Sequence, residues 1–410
     1  MRNLKIFFIS FILFLSCAHA QSEQKAKVQS PQEVLDKFWE IAKLNIYPKS
    51  LEKKFFTEEE YVKLKEQAKD SSDLYSFAPD LNNFLNKLNI SHTHFYTDQD
   101  LEFYFFRSLF STRDPEYPKT AHIGAEYIKT DEGYIVKAVL DGFPAQQAGI
   151  KRGDILLSLN NEPFHPVLSF KKLEGTQAKI SILRGIKKIE ALIKVSHTGL
   201  HRSYIDSIQN SVRVIDFNNM KIGYVHLWTG THGDSVKKLQ NAIRKLKNTE
   251  AIILDLRDGY GGAWWDHLDP FYENTNQYFK ATWIDRGGVK TEMLPKSKMN
   301  LGVYTKPMVV LINEGVRSGK EALAFHFKNT KRAVVVGTKT AGFFVAGGAY
   351  FNDSELPYFL YLSSKGLLLD GVDLEGVGVS PDIEVPWPLK SNLELDPQLE
   401  KAKVVLDDLF

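Results

Sequence analysis

The stretch NEGVRSGKEALAF, residues 313–325, sets a serine between an apolar run, KPMVVLI, and an apolar-periodic segment. Ser318-Gly319-Lys320-Glu321 fits the S-x-x-E capping box, in which hydroxyl and carboxylate each satisfy an unpaired backbone N–H. The same layout of strand, sharp turn, serine and helix also exposes a nucleophile and aims the helix dipole at a developing oxyanion. It is not the G-x-S-x-G elbow, because Val316 and Lys320 stand where that motif has glycines. A serine hydroxyl is a weak nucleophile at its free pKa and needs a base. The rest of the chain therefore decides between cap and catalyst. SHTHF holds His92 and His94 two residues apart, but no further ligands fall at metal spacing and no H-E-x-x-H helix occurs. Neither a metal site nor a cofactor is expected. GAWWDHLDPFYENT (262–275) gathers Trp264, Trp265, Phe271 and Tyr272, either as hydrophobic core or as a wall of a substrate pocket.

The chain around these residues has 410 positions, enough for two or three domains. Its 43% hydrophobic and 25% charged residues are ordinary for a globular protein. A net charge of +2, with no basic stripe interleaved with aromatics, argues against nucleic acid as a partner. MRNLKIFFISFILFLSCAHAQ has Arg2 and Lys5, an apolar run to Cys17, and Ala18-His19-Ala20. That is the pattern of a secretory signal over residues 1–20, implying a periplasmic or secreted protein. Lipidation at Cys17, anchoring the chain at the envelope, is the alternative. No later segment reaches membrane-spanning length.

Residues 21–115 read as a helical domain, because PQEVLDKFWEIAKL and DLNNFLNKLNI repeat apolar residues at three- and four-residue spacing. Residues 116–198 are short strands and glycine turns. From 199 to 410 strand and helix patterns alternate, and the helix DSVKKLQNAIRKLKN sets Val236, Leu239, Ile243 and Leu246 on one face. Apolar strands alternating with helices predict an α/β core with a largely parallel sheet.

Several stretches carry a family resemblance. GFPAQQAGIKRGDILLSLNNEPF (142–164) resembles a PDZ domain of bacterial proteases. The resemblance implies capture of a peptide C-terminus as an added strand, with HIGAE offering the N–H groups of Ile123, Gly124 and Ala125 to the carboxylate. AIILDLRDGYGG (251–262), residues 307–342, EGVGVSPDIEV (375–385) and LNKLNISHTHFY resemble the C-terminal-processing (tail-specific) peptidase family, in its tricorn-core-like branch. A ClpP/crotonase-like core is the fold this implies.

The tail-specific branch takes a lysine as base. Phe343 stands at that position here, while Lys339 falls elsewhere and Lys320 is expected to face solvent. The tricorn-like branch uses serine, histidine and glutamate, with the histidine on a strand near the start of the core. The resemblance places His226, in KIGYVHLW, as general base to Ser318 and Glu375 as the group that orients it. That branch's extra serine, just before the histidine, is matched here by Val225. Gly319 and the Gly261-Gly262 loop are the expected oxyanion donors. The expectation is an exported serine endopeptidase acting on protein or peptide substrates through an acyl-enzyme at Ser318. An inactive peptide- or ligand-binding scaffold and a carboxylic-ester hydrolase remain the alternatives.

Overall fold

The computed structural model describes residues 29–110, 118–295, 302–351, 355–390 and 395–409. The expected signal segment and Cys17 lie outside the described residues. Among those described, no helix is long and apolar enough to cross a membrane.

The chain is multidomain, with helices and mixed sheets. Helix Pro31–Asn45 starts on a complete capping box: Ser30 Oγ accepts from Glu33 N–H, and Glu33 Oε2 accepts from Ser30 N–H. It buries Val34, Leu35, Phe38 and Ala42 along one face. These pack with Phe77, Leu81 and Phe84 of helix Leu74–Asn86 in an aromatic-rich core that includes Phe95. Phe95 is the link to the rest of the molecule. It lies on strand His94–Thr97, which pairs antiparallel with Tyr358–Leu369 in the register His94↔Tyr361. Asn82 clamps this strand from its helix, donating to Phe95 O at 2.9 Å and accepting from Phe95 N–H at 2.8 Å.

The β-rich unit is a sheet ordered Ala125–Thr130, Gly133–Val139, Ile155–Leu159, Gln177–Arg184, Lys187–Lys194. Ala125–Thr130 is an edge, paired on one side only. A second, two-stranded piece, Lys119–His122 with Ser196–Gly199, closes the entry to and exit from this unit.

Beyond it, a six-stranded sheet runs Arg213–Phe217, Met220–His226, Ala251–Asp255, Met308–Ile312, Val334–Gly337, Ile383–Glu384. Only the first pair is antiparallel. Ala251–Asp255 and Met308–Ile312 are buried along their whole length, as expected of parallel strands covered on both faces. Helices His232–Lys245 and Gly319–Asn329 help cover them. The core differs from the expected largely parallel sheet in one respect. A separate antiparallel sheet, built on Tyr358–Leu369, also takes in Ala281–Ile284, Lys290–Met293, Ala346–Tyr350, Val372–Asp373 and the strand His94–Thr97. Helical segment and core are thus joined by backbone pairing across the expected boundary at 115.

Candidate active site

Ser318 sits where strand Met308–Ile312 has turned into helix Gly319–Asn329, at φ 57°, ψ −135°. That conformation is strained for any residue with a Cβ. The capping box is only half made. Glu321 Oε2 accepts from Ser318 N–H at 3.0 Å, but Glu321 N–H donates to the Ser318 carbonyl at 2.8 Å and the hydroxyl caps nothing. Glu321 also accepts from Thr340 Oγ1, Gly342 N–H and Phe343 N–H, tying the helix start to the 340–343 loop. Burial pushes its carboxyl up to about 7, against the pull of those donors.

The Ser318 hydroxyl opens on a cavity of about 740 Å³. Gly261, Gly262, Phe343 and Glu375 line it, and so do Ser91, His92 and His94 from the helical segment. Gly261 presses on the serine: a Cβ there would lie 2.5 Å from Ser318 Cβ and 3.1 Å from Oγ. Gly319 is buried against the Ala263 backbone, where a Cβ would meet the carbonyl oxygen at 2.1 Å. As the first N–H of its helix, that of Gly319 has no intrahelical partner.

Glu375 is held by four donors. Oε1 accepts from Ser91 N–H at 2.8 Å, and Oε2 accepts from Ser91 Oγ at 2.8 Å, Phe344 N–H at 2.6 Å and Val345 N–H at 3.0 Å. Ser91 Oγ in turn lies 2.9 Å from His92 Nδ1. A hydroxyl has one proton, and here a carboxylate takes it, so Ser91 Oγ must accept from Nδ1–H. This fixes the tautomer and leaves Nε2 as the bare nitrogen, with no hydrogen bond among the described residues. Removal from water, and secondarily the Arg317 charge, hold the His92 imidazole well below its ordinary range, so it is neutral at pH 7.

His226 is elsewhere. It ends its strand beside Asp255, is 6% exposed, and does not line the cavity. Its Nε2 is 2.8 Å from the Arg257 carbonyl oxygen and its ring stacks on Trp228 at 3.7 Å. The expected placement of His226 against Ser318 is therefore corrected. The two histidines that line the cavity, His92 and His94, come from the SHTHF segment, and a serine, Ser91, stands directly before His92. Lys320 is also corrected: it is 0% exposed, with Nζ donating to the carbonyls of Leu227, Trp228 and Asp258. Burial lowers its ammonium to about 7. Lys339 is exposed, and neither lysine lines the cavity.

The HIGAE loop is not an open carboxylate cradle. Ile123, Gly124 and Ala125 are buried, and Gly124 N–H donates to His122 Nδ1 at 3.0 Å. Phe143 packs where a Gly124 side chain would be. In the tryptophan stretch, Trp265, Phe271 and Tyr272 are core, Trp264 packs against them, and none lines the cavity. Among the described residues no cluster of three or more metal-ligating side chains occurs.

Residues 221–385 match peptidase family S41. The chain carries a peptidase family S41 domain. A probable CtpA-like serine protease of Staphylococcus aureus (strain N315) is 27% identical over 305 residues, covering 70% of this chain. The corresponding Staphylococcus epidermidis protein is 27% identical over 289 residues, covering 67% of this chain. The chain spans only 57% and 55% of those two relatives' lengths. Two solved structures share the fold. The photosystem II D1 C-terminal processing protease superposes with a TM-score of 0.54 at 19% identity, covering 92% of this chain and 97% of that one. The tricorn protease gives 0.52 at 17% identity, covering 93% of this chain and 37% of that one.

Proposed function

We propose that the S41 domain makes this chain an exported serine endopeptidase, with Ser318 as nucleophile, His92 as general base, and Ser91 and Glu375 as the groups that orient and charge-stabilise the histidine. One observation carries the reading: the uncapped Ser318 hydroxyl shares a cavity with a histidine whose Nδ1 is anchored through Ser91 to a fixed carboxylate. His92 Nε2 takes the Ser318 proton as Oγ attacks the scissile carbonyl, and returns it to the leaving amine. The imidazolium keeps its Nδ1–H bond to Ser91 Oγ, and the Glu375 charge stabilises it through that hydroxyl. The oxyanion is met by the N–H of Gly319, next after the serine, and by the Gly261-Gly262 loop, whose Gly261 lies against Ser318 Oγ. No hydrogen bond joins Ser318 Oγ to Nε2 in the resting molecule, and such contacts commonly tighten only when substrate is bound. Substrate enters as a strand along the open edge Ala125–Thr130, which borders a neighbouring cavity.

A fluorophosphonate probe tests the reading. Ser318 should be the labelled residue, Ser318→Ala should abolish labelling, and His92→Ala should slow it by at least about a hundredfold. Labelling of folded His226→Ala at the wild-type rate is expected. An unlabelled wild-type protein, or equal labelling of His92→Ala and wild type, would sink the assignment.

A further inference from the structure

The residue before the nucleophile has no role in the chemistry just described, yet it is placed with care. Arg317 lines the Ser318 cavity and also the neighbouring one of about 590 Å³ that follows the strand edge Ala125–Thr130. The two cavities share His94, Tyr260 and Arg317 as their common wall. Nε and Nη2 of Arg317 both donate to the Gly259 carbonyl, at 3.2 and 3.0 Å, and the guanidinium lies 4.8 Å from the Tyr260 ring centre. These contacts fix the plane of the guanidinium without meeting its charge. Among the described residues no carboxylate forms an ion pair with it, and Nη1 has no partner.

The nearby acids Glu126 and Glu102 favour the Arg317 cation at longer range, but neither forms an ion pair with it. Glu126 accepts from Gly259 N–H at 2.9 Å and pairs with Lys137 at 3.3 Å. Glu102 lines the second cavity but lies beyond ion-pair distance of Arg317. Glu375 is saturated by its four donors. Arg317 is the one lysine or arginine among the described residues lining the Ser318 cavity. The Arg317 side chain is half-buried, its guanidinium plane is fixed, and that fork suits a planar carboxylate best.

We propose that Arg317 is a specificity-determining residue, binding a substrate carboxylate close to the scissile bond. The carboxylate is either an Asp or Glu side chain within about three residues of the cut or the α-carboxylate of a chain ending there. The guanidinium is one residue from the nucleophile and the peptide passes the common wall of both cavities, so an acid placed there replaces water around Arg317 with a charge-assisted hydrogen bond. This rests on Ser318 being the nucleophile, and the test separates the two claims.

Fluorogenic peptides blocked at both ends are scanned with Glu against Gln at the three positions on either side of the cleaved bond. A second set compares free-acid with amidated C-termini. In the wild type one position, or the terminus, should favour the acid at least tenfold in kcat/KM, and Arg317→Gln should bring that ratio within threefold of unity. Arg317→Lys should keep part of the preference, having charge without the fork. Fluorophosphonate labelling of each variant and a thermal melt show that nucleophile and fold are intact. If the wild type does not label, the proposed function has failed. The same Glu/Gln and acid/amide pairs are then measured by binding to the Ser318→Ala chain. No acid preference above threefold in the wild type or in that binding assay, or a preference that survives in Arg317→Gln, overturns the assignment.

Discussion

Removing one hydroxyl, in Ser91→Ala, separates the proposed relay from a site in which His92 works alone. Ser91 Oγ makes two side-chain contacts, 2.8 Å to Glu375 and 2.9 Å to His92 Nδ1. Without it Glu375 still accepts from Ser91 N–H, Phe344 N–H and Val345 N–H. The loop should therefore keep its place, and the stability cost should be about 2 kcal/mol, two net hydrogen bonds. His92 is affected differently. Its Nδ1–H loses the acceptor that set its tautomer, and the imidazolium formed during reaction loses its link to the carboxylate. A desolvated donor left unmet costs about 1–3 kcal/mol. At 1.36 kcal/mol per factor of ten, kcat should fall about 5- to 150-fold.

The pH profile carries a second signature. Activity requires neutral His92, so it falls on the acid side as the imidazole protonates, at a pH already below the ordinary histidine range. Ser91 Oγ accepts from the protonated ring, so its removal disfavours the charged form and moves that acid limb to lower pH still. Steady-state kinetics on a quenched peptide would read the loss of kcat at pH 7 to 9 and, carried down to about pH 3 or below, the position of the acid limb. A Ser91→Ala enzyme within twofold of wild type, or an acid limb displaced upward, would refute the relay.

Lys320→Ala should destabilise the fold by about 3 kcal/mol or more, since it opens a space and strands the carbonyls of Leu227, Trp228 and Asp258; its urea midpoint checks this, and the folded fraction should keep the wild-type pH profile. His122, His201, His267 and His326 are each lowered to about 4, chiefly by burial, so their contribution is complete above pH 6.5 and is lost as pH falls toward 4. The unfolded chain then binds up to four more protons, and urea stability should drop by several kcal/mol between pH 6.5 and 5; a flat stability over that interval would count against neutral burial of these rings.

Sequence pattern revealed the serine because its signal is local: an apolar strand, a turn and a helix start lie within a dozen residues. Glu375 was legible only through the resemblance of EGVGVSPDIEV. His226 was chosen over His92, the base proposed above, because the setting of His92 depends on Ser91 meeting Glu375 across 284 positions, a contact that periodicity does not encode. A usable signal existed in the serine-before-histidine pair that the tricorn-like branch requires. Two such pairs occur, Ser91-His92 and Ser196-His197. Only the fold separates them, since His197 is exposed on a two-stranded piece while His92 enters the cavity. The HIGAE loop failed for a related reason. A glycine pattern shows where the backbone turns, but not that His122 already occupies the N–H of Gly124. Lys320 was expected outside because charged residues in a first helical turn usually are. The carbonyls that surround it come from two other segments.

Backbone strain gives an independent check on whether Ser318 is kept for chemistry. The proposed nucleophile and base both have positive φ, 57° at Ser318 and 53° at His92. A turn selected only for shape would place glycine at Ser318, since φ 57° with ψ −135° crowds any Cβ. The strain is worth about 1–3 kcal/mol. Against that, glycine in the unfolded chain costs about 0.5–1 kcal/mol in entropy. The hydroxyl makes no cap hydrogen bond, so its loss adds little. Ser318→Gly should thus be more stable than wild type by about 0.5–2 kcal/mol while losing turnover and probe labelling. Ser318→Ala keeps the Cβ and the strain, so it should be equally inactive and close to wild type in stability. Urea midpoints of the three proteins at pH 7.5 decide it. If Ser318→Gly proves less stable than Ser318→Ala, the turn does not hold the strain, and a serine selected as structural support becomes the better account.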